Sequence, residues 1–337
     1  QKVDKGRRSL RSMSNEWIKD IPDFRNIDVH EELAEGELSD VVTPDNLVER
    51  MMKRRTTMAE GISLPFEKLK DTDFLLHKGS LNLIGGYTGH FKSTISSQIG
   101  LRALRQGYRV GIASLELFAE DVLEQYTELS LCQPHADLEY VKAFSEWARE
   151  KLFIYDRMDA ITPEESIQMC IAFAKYCGCD LIVLDALMMM GVCGDPTIEQ
   201  QFTQTLASVA KRFGVTILLV HHVRKPSGME GEEKLPGKYD FIGSSHLSNI
   251  AASIMLVWHD KIQAEKRAQQ ELGAYDPDYN PHQNDMIFKV AKNRYGRYEG
   301  SIRLWQAERC RGFVSNDKRV MTPFGIHQMN GSLRAVI

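Results

Sequence analysis

The sequence predicts an α/β fold around a central, mostly parallel sheet, and three observations carry that prediction. Short apolar runs of strand length recur at 81–84, 109–114, 152–155, 181–184, 215–220, 250–258 and 286–291. Helical stretches at 92–104, 119–131, 162–176 and 197–213 separate most of them, and strands alternating with helices build parallel sheets. Several runs also end in polar groups, Glu116, Asp185 and His221-His222, at the strand ends where open α/β sheets bind ligands.

The first of these runs is the most informative. Residues 81–84 enter a glycine-rich turn (Gly85, Gly86, Gly89), and Lys92-Ser93-Thr94 then opens a helix continued by Ile99, Leu101 and Leu104. Strand, turn and helix in that order form a phosphate-binding loop, because backbone N–H groups and the positive end of the helix surround an anion. In such loops lysine reaches the outer phosphates and the next hydroxyl holds Mg²⁺, roles that fit Lys92 and Ser93. Gly86, Thr88, Gly89, His90, Phe91 and Thr94 complete the candidate nucleotide contacts. Phe91 departs from the pattern, which places glycine before the lysine so that backbone can approach phosphate.

Ahead of the loop, residues 1–42 are basic and then acidic, and are read as a polar tether. A helix at 43–59 starts at Thr43-Pro44-Asp45, a hydroxyl N-cap followed by proline and an acid in the first turn. Leu47, Val48, Met51 and Met52 give it one apolar face for a neighbouring element or subunit. Residues 60–315 are read as one domain and 316–337 as a C-terminal tail.

Beyond the loop, Glu116 follows a strand end and can face the nucleotide. Residues 181–184 read as a buried parallel strand delivering Asp185 to the same crevice, where a carboxylate commonly supports Mg²⁺. His222 ends another strand and is placed to contact a terminal phosphate. Residues 223–246 form a long polar segment, and such segments are usually functional. A charged insertion covers 261–285, and 292–300 make a turn studded with cations whose partner strand begins at 301.

Composition narrows the classes. The 337 residues are 43% apolar and 26% charged, enough for a sizeable core. A net charge of −4 exerts no general pull on nucleic acid, so strand binding would rest on local basic loops. The six cysteines are scattered and Cys177-x-Cys179 lacks zinc-knuckle spacing, which points to free thiols in a reducing compartment. No apolar run approaches the roughly 18 residues of a bilayer span. The expected location is the cytoplasm of a bacterial or phage-infected cell, with an organellar matrix as the alternative, and no membrane partner is expected.

Taken together, GGYTGHFKST (85–94), SLEL (114–117), LIVLDAL (181–187), LLVHHVRKP (218–226), FIGSSHLSNIAASIMLV (241–257) and KNRYGRYEG (292–300) resemble the RecA-like motor domain of DnaB-family replicative helicases. The phage primase-helicase and Twinkle type is the nearest resemblance. It implies a P-loop ATPase core, a homo-hexamer with ATP (or another NTP) and Mg²⁺ between subunits, and translocation on single-stranded DNA. By the same resemblance Glu116 is the base, Asp185 stands behind Mg²⁺ and His222 is the sensor. A neighbour supplies Arg294 with Lys292, and Trp305 stacks on adenine. Arg224, Lys225, Lys238, Gly243 and Ser244 contact DNA phosphates, and a primase, fused or separate, is a possible partner. Two alternatives are a RecA- or KaiC-like ATPase that does not unwind and a non-hydrolysing scaffold, the latter suggested by Phe91.

Overall fold

The computed structural model describes residues 23–34, 43–45, 47–49, 51–52, 61–157, 159, 161–226, 234–243, 245–273 and 276–323, and the backbone of 325–329 and 332–336. The strands are β1 (Leu81–Gly86), β2 (Val110–Ser114), β3 (Leu152–Ile154), β4 (Leu181–Asp185), β5 (Thr216–His222), β6 (Ser253–His259), β7 (Met286–Asn293), β8 (Gly300–Gln306) and β9 (Phe313–Val314). They form one sheet in the order β3-β2-β4-β5-β1-β6-β7-β8-β9. β1 to β6 run parallel, and β7 to β9 add antiparallel strands at one edge.

The helices are α1 (Val29–Ala34), α2 (Lys92–Arg105), α3 (Ala119–Leu131), α4 (Leu138–Ala148), α5 (Pro163–Ile171), α6 (Pro196–Phe213), α7 (His246–Ile250) and α8 (Lys261–Glu271). Two apolar clusters cover the two sheet faces. On one, Leu83, Leu184 and Leu219 pack with Ile167 of α5 and Phe202 and Leu206 of α6. On the other, Ile84, Val183 and Val220 pack with Ile95 and Ile99 of α2 and Val122 and Tyr126 of α3. β1, β2 and β4 are buried at every position, which is why they read as continuous apolar runs rather than alternating ones.

Local chemistry sets the helix starts. Thr162 and Glu165 form a reciprocal capping box with Pro163 at the first turn, and Asp195 accepts from Thr197 and Ile198 N–H to start α6. The helix predicted to reach 176 does so through a π turn at Ala172–Tyr176.

Three expectations change. Residues 23–34, read as tether, dock on the domain: Ile27 is buried, and Gln168 Nε2 donates to Ile27 O at 2.9 Å. Lys175 also pairs with Glu32 at 2.7 Å. The predicted strand 250–258 starts later, because Ile250 ends α7 and β6 begins at Ser253 and runs to His259. The tail is anchored at its start, where Arg319 pairs with Asp285, a fully buried carboxylate that also meets Arg267 at 2.8 Å and Gln306 N–H at 2.7 Å. Further on, Gly325–Met329 and Ser332–Val336 pair as an antiparallel hairpin.

Of the predicted helix 43–59, residues 44–45, 47–49 and 51–52 are helical and Leu47, Val48, Met51 and Met52 are exposed. Positions 53–59, 1–22 and 35–42 lie outside the described residues. Among the described residues, no helix is long and apolar enough to cross a membrane.

Candidate nucleotide-binding site

β1 lies between β5 and β6 in the parallel order β3-β2-β4-β5-β1-β6, so its carboxyl end opens on the same edge as those of β5, β4 and β2. The turn that follows is shaped by backbone conformation. Gly89 adopts φ +77°, where nothing crowds a Cβ and only the left-handed backbone asks for glycine. Phe91 caps α2, also in the left-handed region (φ 60°, ψ 27°), which explains why glycine is the commoner residue here. Its ring turns away from the crevice, packing edge-on against His259 at 4.8 Å and Phe313 at 5.2 Å. His90 turns inward too: it is buried, and its Nδ1 accepts from His259 N–H at 2.9 Å. The side chains of His90 and Phe91 therefore pack away from the crevice, and what these two positions can offer a nucleotide is their backbone N–H groups. His259, which the sequence reading missed, is the prop under both.

The groups that do converge are Lys92, Ser93, Asp185, His222 and Glu116. Lys92 is buried; its ammonium donates to Tyr87 O at 3.0 Å and to His222 Nδ1 at 3.2 Å. Burial pulls it down to about 8, against the pull of Asp185 and Glu116. Asp185 is pushed up to about 6 by burial, opposed by a hydrogen bond from Ser93. Asp185 is followed by a cis peptide to Ala186, and its carbonyl accepts from Leu115 N–H at 2.8 Å, which ties the end of β4 to the turn carrying Glu116. Glu116 is exposed at the mouth of the crevice. His222 is held near 4 by burial and by Lys92, with Thr88 Oγ1 3.3 Å from the same Nδ1. The ring is thus neutral, and because Lys92 donates to Nδ1, its proton sits on Nε2.

A buried ammonium with lowered proton affinity and a buried carboxyl with raised affinity are each short of opposite charge. Phosphate oxygens at Lys92 and a divalent cation between Ser93 and Asp185 would supply it, so the donor set fits a nucleotide with Mg²⁺.

Residues 50–228, more than half of the chain, match the family AAA_25, described as an AAA domain. The chain belongs to this AAA-domain family. Among solved structures, it is similar to one of an "ATPase Domain", with 14% identity, a TM-score of 0.64, and coverage of 82% of this chain and 99% of that one. It is also similar to "The Structure Of A DnaB-Like Replicative Helicase And Its Interactions With Primase", with 14% identity, a TM-score of 0.59, and coverage of 91% and 76%. No curated protein matches the chain. At that identity the likeness is one of fold, and it is the RecA-like fold that the motif order predicts.

Within this AAA-domain fold the remaining candidates fall elsewhere. Lys292 donates to Ser248 O at 2.7 Å and Asn249 O at 3.0 Å, and Arg294 to Asn249 O at 2.8 Å. Both cations satisfy the last carbonyls of α7. Asn293 lies opposite Ser253, which in turn lies opposite Asn82, so this turn sits at the amino-terminal edge of the parallel strands. The phosphate loop is at the carboxyl edge, roughly 17 Å away along β1 at about 3.3 Å per residue. Lys292 is pulled down to about 8 by burial and by Arg294 and Lys238. Trp305 is buried, its Nε1 donates to His282 O at 3.1 Å, and Lys68 lies over its ring at 4.9 Å. This burial and these contacts oppose the expected stacking on adenine.

The segment after β5 folds back on it. Val223 bridges Phe241, and Arg224, exposed, donates one side-chain N–H to Gly243 O, which ties it to its own loop and leaves its charge and other donors open. Gly243 has φ +97°, and a Cβ there would sit 2.0 Å from the Glu199 carboxylate. Glu199 is buried and passed unnoticed in sequence as one more acid in the first turn of a helix. Lys225 is exposed and Lys238 half-buried. Ser244 and 227–233 lie outside the described residues.

Proposed function

We propose that the chain is an ATP-driven motor that moves along single-stranded DNA as a ring of identical subunits, the working part of a replicative helicase. The observation that carries this reading is the division of charge between the two edges of one sheet. Lys92, Ser93, Asp185, Glu116 and His222 meet at the carboxyl edge. Lys292 and Arg294, the cations suited to charge on a transferring phosphoryl group, stand at the opposite edge, where only a neighbour's nucleotide can reach them. A site divided in this way works when subunits stack head to tail, and it supports inter-subunit ATP sites in a homo-hexamer.

In this reading Lys92 and the loop N–H groups bind the β- and γ-phosphates. Ser93 and Asp185 would hold Mg²⁺, which would supply positive charge to the phosphate oxygens. Glu116 orients the attacking water, and His222 donates from Nε2 to the terminal phosphate. Arg294 of the adjacent subunit leaves its α7 carbonyls to meet the developing charge, an effect commonly worth orders of magnitude in rate. Lys225 and Lys238 line the strand path, touching phosphates without reading bases. The DnaB-like structure named above was solved with its primase interactions in view, and a primase, fused or separate, is a partner compatible with this role. The work belongs where the genome is, in cytoplasm or an organellar matrix. The scaffold alternative loses its main support because the Phe91 ring is not in the phosphate path.

The test is ATP hydrolysis with and without oligothymidylate, at a concentration where sizing shows rings, followed by unwinding of a forked duplex. Stimulation and unwinding are expected. Arg294→Ala and Lys92→Ala, each inactive alone, are expected to recover part of the hydrolysis when mixed. Assembled rings that neither hydrolyse ATP nor respond to DNA would refute the motor, and mixed rings without recovery would refute the shared site.

A further inference from the structure

β1 and β5 are register partners at the phosphate loop, Gly85 beside His221 and Gly86 beside His222. Successive residues of a strand point to opposite faces. The His222 ring is on the nucleotide face, against Lys92, so His221 points to the other.

On that other face the strand is tied to the returning loop by three contacts. The His221 ring stacks on Phe241, with centroids 5.9 Å apart and planes within 5°. His221 Nε2 donates to Ile242 O at 2.7 Å. Ile242 N–H donates back to His222 O at 3.1 Å. The Phe241 ring in turn abuts Gly85, where a Cβ would come within 2.5 Å of its Cε1 and 2.6 Å of its Cζ; the absence of a side chain at Gly85 is what makes room for the ring. His221 and Phe241 are both almost fully buried. Immediately beyond them, Gly243 is gripped by the Arg224 side chain.

We propose that His221 and Phe241 are positioning residues that transmit the nucleotide state of the crevice to the strand-binding loop. This rests on the reading of 223–246 as that loop. Neither residue touches the nucleotide. A shift at His222 when the terminal phosphate is lost moves the end of β5. The ring stack and the Ile242 bond carry the displacement to 241–243, because a packed interior transmits strain rather than absorbing it. Coupling of this kind is reciprocal: whatever the nucleotide does to DNA affinity, DNA does to nucleotide affinity.

The experiment measures affinity for a fluorescent oligothymidylate by anisotropy, on the full chain, with a slowly hydrolysed ATP analogue and with ADP. Coupling between sites typically amounts to about 5–150-fold, and the wild-type ratio of the two affinities is expected in that range. His221→Leu, which removes the bond to Ile242 and the aromatic stack, is expected to reduce the ratio to about threefold or less, with basal hydrolysis and analogue affinity within about twofold of wild type. His221→Gln, which keeps a donor, is expected to restore part of the ratio. A merely structural role would lower hydrolysis, nucleotide binding and DNA binding together. Phe241→Leu reads the same quantity if His221→Leu does not fold. A full wild-type ratio in these variants overturns the inference and leaves the motor standing. A wild type that binds no DNA in either nucleotide state overturns both.

Discussion

Phe91 provides the sharpest test of how the phosphate loop is built, because two substitutions of its side chain should differ in a direction set by the backbone alone. Both Phe91→Ala and Phe91→Gly remove a half-buried ring and its edge contacts with His259 and Phe313. Full burial of such a ring contributes about 1.5–3 kcal/mol and each aromatic pair about 0.5–1.5 kcal/mol, so losing this half-buried one should cost about 2–3 kcal/mol. The φ of 60° separates the two. Alanine keeps the left-handed conformation and its penalty, whereas glycine is relieved of it, a difference of about 1 kcal/mol after allowing for the freer unfolded chain. Phe91→Gly should therefore melt about 2–4 °C above Phe91→Ala, with both below wild type. Because the ring points away from the crevice, ATP hydrolysis should stay within about threefold of wild type in both. Thermal melts and steady-state hydrolysis decide it. An alanine variant as stable as the glycine one would refute the strain argument, and a tenfold gain in hydrolysis with glycine would mean that the ring obstructs the phosphates after all.

Further outcomes follow from other buried groups. Asp285→Asn removes the charge shared by Arg267 and Arg319 and should cost about 3–5 kcal/mol in denaturant unfolding; a loss under about 1 kcal/mol would show that the node is not a stabilising one. His221 is held near 4, mainly by burial, so the unfolded chain binds the extra proton more readily below the ordinary value of 6.5. Its contribution to stability is complete above pH 6.5 and is lost as pH falls toward 4, by up to about 3 kcal/mol. His221→Gln should flatten that limb of the stability–pH curve, and an unchanged limb would assign it to other groups. Lys225→Ala should lower the slope of log affinity for oligothymidylate against log salt by about 0.7, while a slope equal to wild type would remove Lys225 from the strand path.

Most strands and the helices between them were legible in the sequence because strands such as β1, β2 and β4 are buried at every position and read as continuous apolar runs, and because caps such as Thr162-Pro163 act locally. The helices α4 and α8, amphipathic or polar and without a Thr-Pro start, were not read. The crevice residues Lys92, Ser93, Asp185 and His222 were legible for a related reason: each follows an apolar run or a glycine turn that fixes where it emerges. Tertiary structure alone decided where the other groups point. Phe91 and His90 look like loop residues in sequence, but the hydrogen bond from His259 and the packing at β9 turn them inward. Trp305 looks available, yet Lys68 and His282 enclose it. Arg224 looks like a free cation and also holds Gly243 O through one N–H. His221, adjacent to a crevice histidine, gives no hint that the next side chain along the strand serves the opposite face. Glu199 and Phe241 matter through partners far away in the chain, and separations of that kind leave no local pattern to read. Local physics writes itself into neighbouring residues, whereas the direction of a side chain depends on what the fold brings beside it.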